Sequence, residues 1–366
     1  MQRYPYIDIL RGIAALLVIW YHVIENSGWT TFAYKGFSRL PRIGWLGVDL
    51  FLVISGFVIA KAAIEAHATK ANWQGYFAER RVRRILPLYL ATLVCYVAMV
   101  NPDVLNHEWD SFDHVASHLF LVHNLWPFTS GSINGPNWSV ALEAQFYMLI
   151  VLVTPWLART TWWRVLLTWV TIAVAWRYMT TLVWVPGLSD VNDQRVAATQ
   201  LPGTLDQFGF GIALAKLAIS GHLKFTPRRF AVALVIALLG LNAAWFIFWP
   251  RANYWYYPAM ISLWRTLLSA GFAALLACVV MIPWRAGWFS WPFRYVGQIS
   301  YGLYLWHIPV LMTLLERTPW KGYTLLCVTL VLTFILAALS WHGFEQLWMN
   351  PRKRAAPAAT ERDSPG

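Results

Sequence analysis

Stretches of about 20 apolar residues, each long enough to cross roughly 30 Å of hydrocarbon, recur along nearly the whole chain. No other feature constrains the fold as strongly, because a backbone in lipid must satisfy its own hydrogen bonds. Runs of this length mean helices, whereas barrel strands alternate over segments of about ten residues. The spacing predicts about ten spans, near 6–25, 45–62, 84–101, 138–158, 162–184, 201–219, 229–250, 259–282, 297–315 and 322–344. Composition agrees. Charged residues make up 13% of the 366, about half the usual share of a soluble domain, with 58% hydrophobic residues and 24 Trp. An ordinary cytosolic enzyme, a disordered chain and a small secreted scaffold are excluded, and the expected class is an all-α polytopic membrane protein.

The first run lacks the basic start and small-residue cleavage site of a signal peptide, so it reads as a retained helix. Cys95, Cys278 and Cys327 each lie inside an apolar run and read as helix-packing residues, with no disulfide framework. No fixed-period repeat is visible. Residues 1–350 are expected to form one membrane domain, followed by a disordered cytoplasmic tail at 351–366 and no second domain.

A net charge of +12 is compatible with a nucleic-acid partner, but the basic residues cluster between apolar runs, as topology signals do. With the N-terminus inside, 19 Lys and Arg fall in cytoplasmic segments and 7 in outer loops. The long outer loop at about 102–137 holds neither residue. Both termini are therefore expected to be cytoplasmic, with the bilayer rather than nucleic acid as the partner.

Ionisable groups inside a span cost several kcal/mol unless they face a cavity or a partner, so each is a functional candidate. In RGIAALLVIWYH, Arg11 and His22 are eleven residues apart, which puts them on one helix face about 16 Å apart along the axis. Arg11 sits toward the inner side and His22 in the outer half; a snorkelling arginine and a packed histidine would give the same pattern. Glu143 in NWSVALEAQFY enters from outside to roughly 7–8 Å depth, a level similar to that of His22. A carboxylate beside an imidazole orients it and makes it a general base for a hydroxyl. Alternatively, Glu143 pairs with an intramembrane arginine and only ties helices together.

Four arginines within five positions open FAERRVRRILPLY, with Arg81 and Arg84 at i, i+3 on one face, suited to bidentate capture of phosphate. Simple anchoring at the inner interface also accounts for them. Asp49 in GVDLFLVISGF lies near the outer end of the second helix, where it either orients His22 or reaches water. His307 in YGLYLWH lies near mid-membrane. His114 and His118 stand at i, i+4 but lack a third ligand at helical spacing, and no metal is expected. GSINGPNWS is a turn-rich approach to the fourth helix rather than a phosphate loop, because it lacks the GK[ST] ending. Trp109, Trp126 and Trp138 border the outer loop, where an aromatic face would stack on a glycan. Interfacial anchoring explains most of the other Trp.

In order along the chain, YIDILRGIAALLVIWYH, GVDLFLVISGF, RRVRRILPLY, NWSVALEAQFY, ISYGLYLWHIP and the final HGFEQ with Glu345 resemble the motifs of the integral-membrane acyltransferase 3 family, which includes O-antigen and exopolysaccharide O-acetylases. The resemblance covers about residues 4–350. It implies transfer of an acyl group, usually acetyl, from cytoplasmic acyl-CoA to a hydroxyl of an envelope or exported glycan, in a bacterial inner membrane. On that reading Arg11, Arg81 and Arg84 anchor the phosphates of acetyl-CoA, and His22, oriented by Glu143, is the general base. Asp49, His307 and Trp138 are the substrate-binding candidates. The short tail points to a stand-alone member without the soluble esterase-like domain many relatives carry.

Two other functions compete. A transporter or flippase would use the intramembrane Arg, Glu and His as substrate or relay groups, but such folds show paired repeats. A glycan polymerase or ligase would carry catalytic basic residues outside, where this chain has few. A membrane scaffold leaves the polar groups at matching depths unexplained.

Overall fold

The computed structural model describes residues 4–30, 32, 36–105, 110–283 and 287–349. Among them every regular element is helical. The elements are α1 (Pro5–Asn26), α2 (Leu46–Thr69), α3 (Trp73–Met99), α4 (Asp110–Leu119), α5 (Trp138–Arg159), α6 (Trp162–Val183) and α7 (Val191–Ala198). They continue with α8 (Leu201–Ile219), α9 (Pro227–Phe248), α10 (Arg265–Met281), α11 (Trp291–Gln298), α12 (Ser300–Arg317), α13 (Gly322–Ser340) and α14 (Gln346–Met349). Short wide turns, Met260–Trp264 and Trp341–Glu345, lead into α10 and out of α13. The expected tail at 351–366 and Trp109 lie outside the described residues, as do Arg3, Lys35 and Arg285 of the charge count.

Among the described residues eight helices are long and apolar enough to cross a membrane, which makes the chain a multi-pass membrane protein. The remaining two of the ten expected spans form α8 and α12. These are not among the eight because they carry polar groups inward: Asp206 and Gln207 on α8, and Ser300 and His307 on α12, all fully buried. They are enclosed by other helices rather than by lipid, and α9 is the opposite case. Of its apolar stretch only 11% is buried, against 72% for α2.

α2 forms the axis of the fold because its small residues let backbones meet, the usual device for membrane helix association. A Cβ at Gly56 or Gly211 would overlap backbone across the α2–α8 crossing, and one at Gly47 would overlap the Ala14 carbonyl of α1. α11 lies equally close to the start of α1, where Gly297 rests on the Asp8 backbone.

Helix starts follow local chemistry. Pro5, Pro202 and Pro227 stand in the first turns of α1, α8 and α9, where a missing N–H costs nothing. The Asn72 side chain accepts from Gly75 N at 3.2 Å and starts α3 eleven residues before the expected span at 84–101, so the arginine cluster lies inside the helix, as the sequence reading places it. Pro309, inside α12, removes the N–H that would bond the Leu305 carbonyl; Asn134 Nδ2 donates to that carbonyl instead, at 3.2 Å. This bond ties the outer loop to α12.

Two of the intramembrane arginines are closely paired, and the third, Arg11, lies 4.0 Å from Asp8 one turn away. Arg177 of α6 forks onto Asp206 of α8, with contacts of 3.1 and 2.7 Å, and also donates to Thr266 Oγ1 at 2.7 Å. Arg265 meets Asp49 of α2 at 3.2 Å. Buried charges persist in a membrane interior only when compensated in this way.

Candidate active site

Two cavities lie one above the other along the helix axes, and among the described residues Val48 of α2 and Tyr304 of α12 line both. The arginine cavity, called inner after the orientation expected from the sequence, has a volume of about 280 Å³ and is lined by Arg11, Arg80, Arg81, Arg84, Glu143 and Tyr147 among others. α1 supplies Arg11 and α3 the other arginines; Arg80 and Arg84 are one turn apart, with Arg81 beside them. Arg83 turns away and pairs with Glu79 at 2.6 Å. The Arg81 guanidinium lies over the rings of Phe77 and Tyr147, at 5.2 and 5.5 Å, which holds the plane without consuming its donors. Met349 reaches this cavity too, with Arg84 Nη1 at 3.8 Å from its Sδ. The beginning of α1 and the end of α14 therefore share the arginine end of the bundle.

The outer cavity, of about 610 Å³, is lined by His22, Asp49, Trp138 and Arg265, with Glu25 and Arg195 also on its wall. Its sides are aromatic, with Trp45, Tyr254 and Trp255. Trp45 and Tyr254 cover the Arg265 guanidinium at 5.2 and 6.0 Å. The septum between the cavities is held firmly. Tyr304 donates its hydroxyl hydrogen to the Pro136 carbonyl at 2.9 Å, and Ser139 Oγ lies 2.7 Å from the same hydroxyl oxygen.

The sequence-predicted residues fall on both sides of this septum. Arg11, Arg81 and Arg84 come together in the inner cavity, joined by Arg80, which the i, i+3 reading passed over although its i, i+4 spacing to Arg84 was visible. Glu143 lies with them rather than with His22. Its Oε1 accepts from Tyr147 at 2.8 Å and from Ser55 at 3.2 Å. The hydrogen bond of the His22 ring runs elsewhere, from Nδ1 to His307 Nε2 at 3.0 Å. The expected shared level does not hold: Glu143 bonds Ser55, two turns along α2 from the Gly47–Ala14 crossing toward the Arg11 end, whereas His22 lies two turns beyond that crossing in the other direction. Nor does Glu143 serve as partner of Arg177 or Arg265, which hold Asp206 and Asp49.

Asp49 lines the outer cavity but is bonded by Arg265 and by Gln207 Nε2 at 2.8 Å, not by His22. Trp138 stands on the outer wall as expected. His307 is fully buried and lines neither cavity. In the outer loop, His118 stacks face to face on His123 at 3.9 Å, and its Nδ1 lies 2.7 Å from the His114 carbonyl. Burial pulls both rings below the ordinary 6.5, His118 to about 4 and His123 to about 3, with His118 adding to the effect on His123. The arrangement sets an arginine-lined cavity, of a chemistry that suits phosphates, against an aromatic chamber that a histidine lines.

Among known proteins, residues 4–342 match a family model described as an acyltransferase domain. The peptidoglycan O-acetyltransferase OatA of Listeria monocytogenes is 28% identical, over 93% of this chain and 55% of its own length. YrhL of Bacillus subtilis, provisionally named as a peptidoglycan O-acetyltransferase, is 26% identical over 94% of this chain and 55% of its own. BcsY of Komagataeibacter xylinus, provisionally named as a membrane-bound transacylase, is 28% identical over 97% and 86%. The chain spans about half the length of the first two. No solved structure matches it.

Proposed function

Since the chain belongs to the integral-membrane acyltransferase 3 family, we propose that it moves an acetyl group from cytoplasmic acetyl-CoA to a hydroxyl of a cell-envelope or exported glycan. Its class is that of a membrane O-acetyltransferase, and the transporter reading gives way. The reading is carried by the two cavities that meet at Val48 and Tyr304. The names of the relatives, one a peptidoglycan O-acetyltransferase, favour an acceptor of glycan type.

In this mechanism Arg11, Arg80, Arg81 and Arg84 bind the donor's phosphates, and Glu143 keeps their array open by engaging Tyr147 and Ser55. The thioester arm rises to the septum, past Val48 and Tyr304, while the acceptor enters the outer chamber and rests on Trp138. His22 removes the hydroxyl proton as the oxygen attacks the thioester carbonyl. The new C–O bond forms, the C–S bond breaks, and the thiolate leaves with the proton that His22 took up. The axial distance of about 16 Å between Arg11 and His22 is one that an extended thioester arm spans.

The membrane is taken to be the bacterial cytoplasmic membrane, with both termini inside. The inside excess of Lys and Arg supports this, as does the position of both described chain ends at the arginine end of the bundle. The test is label transfer in membrane vesicles supplied with radiolabelled acetyl-CoA, with wild type and His22→Ala at matched expression. Alkali-labile label in a glycan-sized product is expected with wild type and not with the variant; equal labelling would remove His22 from the chemistry.

A further inference from the structure

We propose that His307 is the positioning residue that decides which nitrogen of His22 is basic. The inference deepens the reading of His22 as general base and rests on it for its catalytic meaning. It begins from a carbonyl. His307 Nδ1 lies 2.5 Å from the Tyr304 carbonyl oxygen, three residues back on the same helix. A carbonyl oxygen only accepts, so Nδ1 carries the hydrogen.

A neutral imidazole has one N–H, and His307 Nε2 is therefore a bare acceptor. It faces His22 Nδ1 at 3.0 Å, with the ring centroids 5.0 Å apart. Only a hydrogen on His22 Nδ1 satisfies that contact. The lone pair of His22 is thereby assigned to Nε2, on the ring of a residue that lines the outer cavity. A protonated His307 would put a hydrogen on both of its nitrogens and reverse the polarity of the contact. Full burial of His307, with no carboxylate hydrogen-bonded to it among the described residues, favours the neutral form that the relay needs.

The arrangement does the work of the carboxylate in a serine-hydrolase triad with a neutral group. The third member of such a triad selects a tautomer and an orientation for the base. Here a backbone carbonyl selects the tautomer of the second histidine, and that histidine selects the tautomer of the first. In the step itself the acceptor hydroxyl proton goes to His22 Nε2, the acceptor oxygen bonds the acyl carbon, and the sulfur leaves. The imidazolium keeps its Nδ1–H directed at His307 Nε2 throughout, then gives the Nε2 proton to the thiolate.

The experiment has two arms on the full chain in lipid nanodiscs. In the first, the protein is labelled with ¹⁵N-histidine and the His22 signals are assigned by their loss in His22→Asn. Wild type should show Nδ1 protonated and Nε2 bare at neutral pH, His307→Ala should lose that state, and His307→Gln, whose amide oxygen takes the acceptor position, should keep it. In the second arm, kcat with acetyl-CoA should fall about a hundredfold or more in His307→Ala, with the donor KM within twofold of wild type. His307→Gln should recover at least tenfold over the Ala variant.

A wild-type spectrum with the His22 proton on Nε2 would overturn the proposal, and so would equal kcat in the Gln and Ala variants. The spectrum needs no turnover. If wild type transfers no acetyl at all, the acyl-transfer reading fails while the labelled wild-type protein still decides the tautomer.

Discussion

At the residue scale, burial sets what each polar group is worth. Arg177 is 1% exposed and Asp206 0%, so the charge of each is tolerable only beside the other. Arg177→Met should cost about 3–5 kcal/mol because Asp206 is left as an uncompensated buried charge. The double variant Arg177→Met with Asp206→Leu should regain most of that loss, as thermal unfolding in detergent would show. The histidine stack in the outer loop gives a prediction with a definite sign. His118 and His123 bind protons less readily when folded, at about 4 and about 3, than at the ordinary 6.5. The unfolded loop therefore takes up protons first as pH falls. Local stability should be intact above about pH 6.5 and decline progressively toward pH 4 and below. Limited proteolysis of the 102–137 loop across that range would read it; unchanged cleavage down to pH 4 would mean the rings titrate normally.

At the element scale, the decisive contacts are backbone against backbone, and they depend on glycine. α11 meets α1 where Gly297 lies on the Asp8 carbonyl, with no flexible side chain between them to give way. Gly297→Ala should push α11 off the inner end of α1, displacing Arg11 from its cavity. The expected result is weaker donor binding together with lowered thermal stability. An unchanged donor KM and melting temperature would show that the helices part without consequence. The same logic explains why α8 and α12 depart from a simple hydropathy reading. Their polar side chains face partners rather than lipid: Asp206 meets Arg177 and His307 meets His22. Apolar content measures contact with lipid, and a helix enclosed by others is free of that demand.

At the scale of the whole molecule, the two cavities approach each other where Val48 and Tyr304 line both. Tyr304 is pinned by Pro136 and Ser139, and Val48 stands over the close crossing of Gly47 on α1. Val48→Trp should fill the passage. Acetyl transfer should fall at least tenfold, while acetyl-CoA binding to the inner cavity, followed by calorimetry, stays within twofold of wild type. Loss of binding and transfer together would mean that Val48 supports the donor site and not the passage.

Sequence by itself determined the class and the chemistry of the parts. Apolar runs of membrane length, the Lys and Arg bias, the shared face of Arg11 and His22 and the arginine cluster of α3 are all local or periodic features. Helix geometry converts them directly into spans, faces and depths. The ordered motifs extended that reading to the family. Tertiary structure alone decided which parts meet. Counting along the helices puts Glu143 and His22 at similar depths, yet in the fold Glu143 lies among the arginines and His22 meets His307, 285 residues away. Counting gives height within one helix; the shift of that helix against its neighbours, and the gap into which a side chain turns, depend on small residues such as Gly47, Gly211 and Gly297. For the same reason the pairing of Asp49 with Arg265 emerged only from the fold. Opposite charges buried in hydrocarbon find partners wherever the bundle brings them together, and sequence distance places no bound on that.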